Sequence, residues 1–467
     1  MVLAQAAVIE GLEARVGELE RQIGRHSGNS SLPPSRDAQE QRESRAERRR
    51  AARAAQKEDK RRQGKQPGAP GAHLAQVDDP DRVVVHVPGA CRGCGAGLAG
   101  APVEGVERRQ VFDLPERRRE VTEHRAERRR CGCGRATTAE FPPEARAPAC
   151  WGPRVRAYAI YLLVRQHLPV ERTAELLADM LGAPVSSGWL ASLAAEGADG
   201  LAGFVDDLAD RVAASDVVHA DETGTRVAGT KWWIHVAATV LLTYLAVHRH
   251  RGREAINEIG ILPRFRGTLV HDRLASYWGY TNARHAVCNA HLLRDLAAVA
   301  EIASQEAWAT AMTALLLDAK RRCEAALAAG LPAVPPGQRS QLRARYNRIV
   351  ADAFAVNPEP PAGRKRHPLE RAGYNLAVAF RNHATEILRF TTDLRVPFDN
   401  NQAERDLRMA KLQQKISGTF RSEKGAERFA AIRSYIETGR KHGHNPLDLL
   451  IQLFNGNPWM IPSPAAT

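Results

Sequence analysis

No segment of the 467-residue sequence is a candidate membrane span. The longest apolar stretch, residues 232–247, contains His235 and falls short of the ~20 residues that cross a bilayer. The opening MVLAQAAVIEGLEARV lacks the basic n-region and continuous apolar h-region of a secretory signal, so a cytoplasmic location is expected. Cysteine is sparse and odd in number, 7 in all. Four of them fall into two close pairs, which argues for metal binding over a disulfide framework. Large apolar side chains are almost absent from residues 42–65, where eleven basic and four acidic residues cannot bury a core.

What is present is length and positive charge. A chain of 467 residues exceeds one ordinary core, so two to four units are expected. Lys and Arg number 67 against 53 Asp and Glu, a formal charge of +14, which points to a polyanionic partner such as nucleic acid. An Arg-rich composition raises basicity by itself, so the location of the charge matters. Much of it lies in 42–65, which suits a phosphate-contacting arm, a solvated linker, or both.

Val2, Ile9, Leu12, Val16, Leu19 and Ile23 follow the a/d spacing of a short coiled coil over 1–27, able to pair chains or to dock on the chain's own body. Gly28, Pro33 and Pro34 end it, and a basic linker runs over 28–75. Residues 76–150 alternate short β-like runs (83–87, 107–114, 117–125) with glycine turns, suggesting a small β-rich module. Amphipathic helices are expected over 154–166, 171–180 and 187–196. The last two flank LGAPVSS, a helix-turn-helix shape that would make 151–212 a DNA-binding region, although many bundled helices share this spacing.

From 213 the texture turns to strands: VVHADE, TKWWIHVAAT, LLTYLAVHRH and, after a helix, GTLVHD. Helices follow beyond His291. The order of elements is that of a ribonuclease-H-like α/β core over 213–424 with a helical insertion at about 292–392 and a helical C-terminal segment over 425–467, although periodicity does not separate this from other α/β folds.

Asp221 is expected at the end of the first of these strands and Asp272, 51 residues on, at the end of the last. Buried strands that expose an acid at their tip present metal ligands from a rigid scaffold; an Asp there equally caps the next turn. In VPFDNNQAERDLRMAKLQQK, Asp399 or Asn400 can cap a helix on which Glu404, Arg408, Lys411 and Lys415 share one face. That face is either a salt-bridged solvent stripe or a metal ligand flanked by phosphate-binding cations. Carboxylates converging on two hard cations ~4 Å apart would suit phosphodiester chemistry, with Mg²⁺ the natural ion and Mn²⁺ its substitute.

HADET, the Asp of TLVHD, CNAHLLRDL and DNNQAERDLR, together with NSSLPPS, GKQPGAPGAH and the closing RSEKGAERFAAIRSYIETGRKHGHNPLDLL, resemble the bacterial transposases of insertion-sequence family sixty-six, of the DDE class. The resemblance covers nearly the whole chain. It implies Asp221, Asp272 and Glu404 as a metal-binding catalytic triad that cuts element ends and joins them to target DNA, with Lys411 at the position of a DNA-contacting base. It further implies a homo-oligomeric synaptic complex, open to accessory proteins encoded by the element. Cys288 and His291 match the family's C-x-x-H string, as active-site support or as a buried thiol and a hydrogen-bonded histidine. Cys91-x-x-Cys94 and Cys131-x-Cys133 look like a zinc knuckle pair holding one structural Zn²⁺. The second pair has one intervening residue where two are usual, which leaves Cys150 and His124 open as substitute ligands. Two other readings stand beside a transposase: a nuclease on the same core that cuts without joining, and a zinc-dependent DNA-binding regulator.

Overall fold

The computed structural model describes residues 74–114, 119–142, 144–359 and 368–463. The coiled coil expected over 1–27 lies outside them, as does the basic segment 28–75 apart from its last two residues. The chain divides into two compact units, one of residues 39–120 and the other of the remainder.

In the smaller unit the β-like runs 83–87 and 107–114 form no strand, contrary to expectation, and Val83, Val85, Val111 and Leu114 are exposed. A strand needs a paired ladder and a face to bury, and these runs have neither. In the other unit residues 121–125 are likewise unpaired. Among the described residues the β content expected over 76–150 comes down to one hairpin, β1 (Arg128–Arg130) antiparallel to β2 (Ala136–Thr138), and an isolated bridge between Ala90 and Gly97.

The larger unit continues with α1 (Pro153–Ile160), which runs on into a π-helical turn (Tyr161–Arg165). The two helices read around LGAPVSS are present as α2 (Val170–Leu181) and α3 (Ser187–Asp199). Gly182 ends α2 at φ 59°, a left-handed conformation that costs glycine nothing, and the Ser186 side chain caps α3 by accepting from Trp189 N. Helix α4 (Ala202–Ala213) leads into the sheet.

The sheet holds β3 (Val217–Val227), β4 (Thr230–Ala238), β5 (Thr243–His248), β6 (Thr268–His271) and β7 (Arg284–Val287) in the order β5-β4-β3-β6-β7. The first three form an antiparallel meander; β6 joins β3 in parallel after helix α5 (Arg253–Ile259), and β7 extends the parallel half. Strand β7 was not expected from the sequence. Its RHAV has one apolar pair at an edge, too short for a period-2 signal.

Between β7 and residue 387 lie α6 (Asn289–Ala300), α7 (Glu306–Ala328), α8 (Pro336–Val356), α9 (Pro368–Asn382) and α10 (Ala384–Ile387). They enclose a hydrophobic cluster that includes Leu292, Trp308, Leu315, Tyr346 and Phe380 and reaches the sheet through Val270, Ala286 and Val287. A second cluster joins Val218, Ala220 and Val236 of the sheet to Leu177, Leu190, Phe204 and Leu208. It also takes in Ala403, Leu407, Ile432 and Tyr435 from α11 (Asn401–Ser417) and α12 (Glu423–Lys441), and residues of α13 (Pro446–Phe454). Helices α2 to α4 therefore share a core with the sheet. Each fully buried Leu or Phe in these clusters contributes about 1.5–3 kcal/mol of transfer free energy, so the sheet is clamped from both clusters.

Candidate metal centre

Strand β3 carries Asp221 in its middle and not at its tip, because pairing with β4 runs on from Asp221↔Val236 to Val227↔Thr230. The end that matters is that of the parallel ladder. The last β3–β6 pair is His219↔Val270, so Asp221 and Asp272 each stand two residues beyond it on neighbouring strands. Strand β6 stops there because Asp272 Oδ1 accepts from Leu274 N (2.9 Å) and Arg273 turns to φ 76°. The turn-capping role of this Asp and its place beside Asp221 are both present.

Carboxylate oxygens of Asp221, Glu222 and Asp272 lie within 4.8 Å of one another. Burial, then the charges of Glu222, Asp272 and Glu404, push the Asp221 carboxyl up to about 7. Glu222 is a member that sequence reasoning missed, although it sits beside Asp221 in HADET. It is buried, accepts from Tyr277 Oη (2.6 Å) and Arg251 Nε (2.7 Å), and burial still raises its pKa. Arg251 in turn lies over the Trp233 ring, 5.0 Å from its centroid.

Glu404 belongs to a second group, in which ligand atoms of Cys288, His291 and Glu404 lie within 4.8 Å of one another. Helix α11 presents it by burying Ala403, Leu407 and Ala410 against the sheet, which leaves Glu404 half-buried at the flank of that face. Asp406 anchors the helix: it accepts from Thr243 Oγ1 (2.9 Å) and from Lys441 Nζ (2.9 Å). Glu404 Oε1 is buried without a hydrogen bond; the basic side chains beside it are Arg294 at 3.5 Å and His291 Nδ1 at 3.8 Å. Both come from α6. The salt-bridged stripe along α11 is therefore absent: Arg408, Lys411 and Lys415 are exposed, and none makes an ion pair among the described residues.

Cys288 is fully buried at the start of α6. Its sulfur accepts from Asn400 N (3.1 Å), and burial pushes the thiol up to about 11, so it is held protonated. A protonated thiol is a poor metal ligand. Burial, then Arg294, keeps the His291 pKa low, which favours the neutral ring.

The donor set fits divalent cations. Three acids crowd together, one is pushed toward the neutral form by burial and by its neighbours, and a buried oxygen of Glu404 lacks a partner among the described residues; hard cations would relieve all three conditions.

The cysteine pairs occupy tight turns, each described separately. In one, Gly95 N donates to Cys91 O (2.9 Å), and the backbone amides of Cys94 and Gly93 lower the Cys91 thiol. In the other, Gly134 N donates to Cys131 O (2.8 Å) between β1 and β2, and the Cys133 amide lowers the Cys131 thiol. Amides aimed at sulfur favour thiolate, the form a metal binds. Cys94, Cys131, Cys133 and Cys150 are exposed.

Helix α3, the second helix of the pair around LGAPVSS, exposes Ser187, Ser192, Glu196 and Asp199 and carries no Lys or Arg. Among the described residues no helix is long and apolar enough to cross a membrane.

In comparison with known proteins, the profile of the Transposase IS66 family matches residues 148–428, and a Family of unknown function (DUF6444) matches residues 2–75. The first match spans the sheet, the helices between β7 and α11, and every acid of the centre. No curated protein matches the chain significantly.

Proposed function

The chain belongs to the IS66 family of transposases, and from that premise we propose that it is a DDE-type transposase. Its catalytic residues are Asp221, Asp272 and Glu404, carried on a ribonuclease-H-like core. Membership implies DNA as partner and divalent metal as cofactor. The order β5-β4-β3-β6-β7, antiparallel in one half and parallel in the other, supports the core assignment. The single observation that carries the reading is geometric: Asp221 and Asp272, far apart in sequence, bring carboxylate oxygens within 4.8 Å of each other.

In this reading Asp221, Asp272 and Glu404 hold two Mg²⁺ ions, with Mn²⁺ as substitute. Such ions, when bound, activate the attacking water or 3′-hydroxyl and stabilise the leaving oxygen. The chain's own groups do the rest. Tyr277 and Arg251 keep Glu222 oriented, and Arg294 and His291 stand behind Glu404. Arg408, Lys411 and Lys415, which make no ion pair among the described residues, bind the phosphates that flank the scissile bond. No protein nucleophile is needed.

The cysteine turns are proposed to bind structural Zn²⁺, on their spacing in the sequence and on the amides that face Cys91 and Cys131.

Asp221→Ala, Asp272→Ala and Glu404→Ala should each reduce strand cleavage of element-end DNA to background while leaving DNA affinity largely intact. Gel assays with labelled ends read both quantities. Joined products from the unaltered protein identify a transposase; cleavage without joining would favour a nuclease on the same core, and full activity in any of the three variants would refute the triad.

A further inference from the structure

Asn400 lies where the segments of the centre meet, and it is fully buried. Its position would suit a side-chain helix cap, but that duty falls to Asp399, whose Oδ1 accepts from Asn401 N (3.0 Å). The Asn400 side chain instead turns inward. Its Nδ2 donates to Ala220 O (2.9 Å), which fixes Oδ1 as the acceptor for His219 Nδ1 at 2.9 Å. With Oδ1 as the acceptor, the proton of this bond sits on His219 Nδ1.

The Asn400 backbone completes the junction. Its N donates to Cys288 Sγ (3.1 Å), and its O accepts from Glu404 N (3.2 Å). One residue thus ties together the residue before Asp221, the thiol that opens α6, and the first turn of the helix that carries Glu404. A second tie on α11, Asp406 to Thr243 and Lys441, lies on the far side of the helix from Glu404.

We propose that Asn400 is a positioning residue that sets the Glu404 carboxylate against Asp221 and Asp272 at the spacing that divalent cations require, with Cys288 serving as its hydrogen-bond acceptor. The inference rests on the metal-centre reading above. It differs from a purely stabilising role in its consequence. A buried amide that only stabilises would, when removed, lower the melting temperature and leave cation affinity unchanged. One that orients a ligand changes the affinity itself, typically by about 10–100-fold.

The test uses the full chain without DNA and measures Mn²⁺ binding by calorimetry, with electron paramagnetic resonance as a check, well below each variant's melting temperature. Asn357→Ala is the control for stability, since Asn357 is equally buried but bonds to Gln305 and Ala353 in the insertion. Asn400→Ala should bind Mn²⁺ about 10–100-fold more weakly, keep its DNA affinity, and need correspondingly more Mg²⁺ for cleavage. Asn357→Ala should melt earlier with Mn²⁺ affinity unchanged. Unchanged Mn²⁺ affinity in Asn400→Ala, or an equal loss in Asn357→Ala, overturns the inference while leaving the metal centre standing. If Asn400→Ala does not fold, Asn400→Asp keeps the volume and the acceptor for His219 but removes the donor to Ala220, and the same outcomes apply. Should Glu404→Gln bind Mn²⁺ as well as the unaltered protein does, the metal-centre reading falls, and the role of Asn400 with it.

Discussion

The carboxylate centre and the cysteine turns are both candidate metal sites, built in opposite ways. Asp221 stands on β3, Asp272 just past the end of β6 and Glu404 on α11, elements whose apolar residues lie in closed clusters. The cysteine turns sit in segments whose valines are exposed and whose regular strands, among the described residues, are the two three-residue strands of one hairpin. In the first, hydrophobic burial supplies the scaffold, so a cation bound there would serve chemistry and not folding. In the second, little besides the turns holds the backbone, so a metal would supply much of the folding free energy itself.

That contrast breaks first on metal removal. Stripping zinc with a strong chelator, or replacing Cys91 or Cys131 by Ser, should expose residues 76–150 to proteolysis and hydrogen exchange while protection across β3 and β6 persists. Structural zinc sites contribute about 10–16 kcal/mol in small modules, so the loss should be complete. Equal protection with and without zinc, or freshly purified protein that holds no zinc, would remove the difference between the two sites.

A smaller effect concerns the cost of the carboxylate centre without its cations. Asp221 is raised to about 7 in the folded chain from an ordinary value of 3.8. The folded state therefore holds this proton more tightly, and stability is lost as pH rises from about 4 through about 7. Asp221→Asn should accordingly melt higher than the unaltered protein at pH 8 in EDTA, by about 2–4 °C for each kcal/mol of repulsion relieved. The gap should close below pH 4 and shrink when Mg²⁺ is added. An unchanged melting temperature at pH 8 would show that the acids do not strain the metal-free fold.

The smallest effect is on DNA. Lys411→Ala should weaken binding about equally across sequences and reduce the slope of log affinity against log salt by about one unit. A comparable substitution on α3 has no cation to remove. Unchanged slope in a folded Lys411→Ala protein would return this face of α11 to a solvated surface.

Much of the scaffold is legible from local pattern. The apolar runs that became β3, β4, β5 and β6, and the spacing of Glu404, Arg408, Lys411 and Lys415 along one helix, depend on side-chain periodicity that any window of the chain displays. Where pattern was short or ambiguous it failed: β7 has four residues, and the valine-rich run 83–87 has the composition of a strand but no partner. Glu222 and Asn400 stood in view beside the recognised acids, with nothing local to separate them from ordinary surface residues.

By itself the sequence determined the residue types, their order and their helical or strand phase, because these follow from covalent spacing. Tertiary structure decided which charges meet. Glu404 faces Arg294 and His291 of α6 instead of its own helix neighbours, Asp221 lies mid-strand beside Asp272, and Asn400 turns from helix cap to bridge. Each of these depends on contacts between segments remote in the chain, which sequence spacing does not encode, and on burial, which makes an acid's pKa and a cation's availability properties of the assembled site.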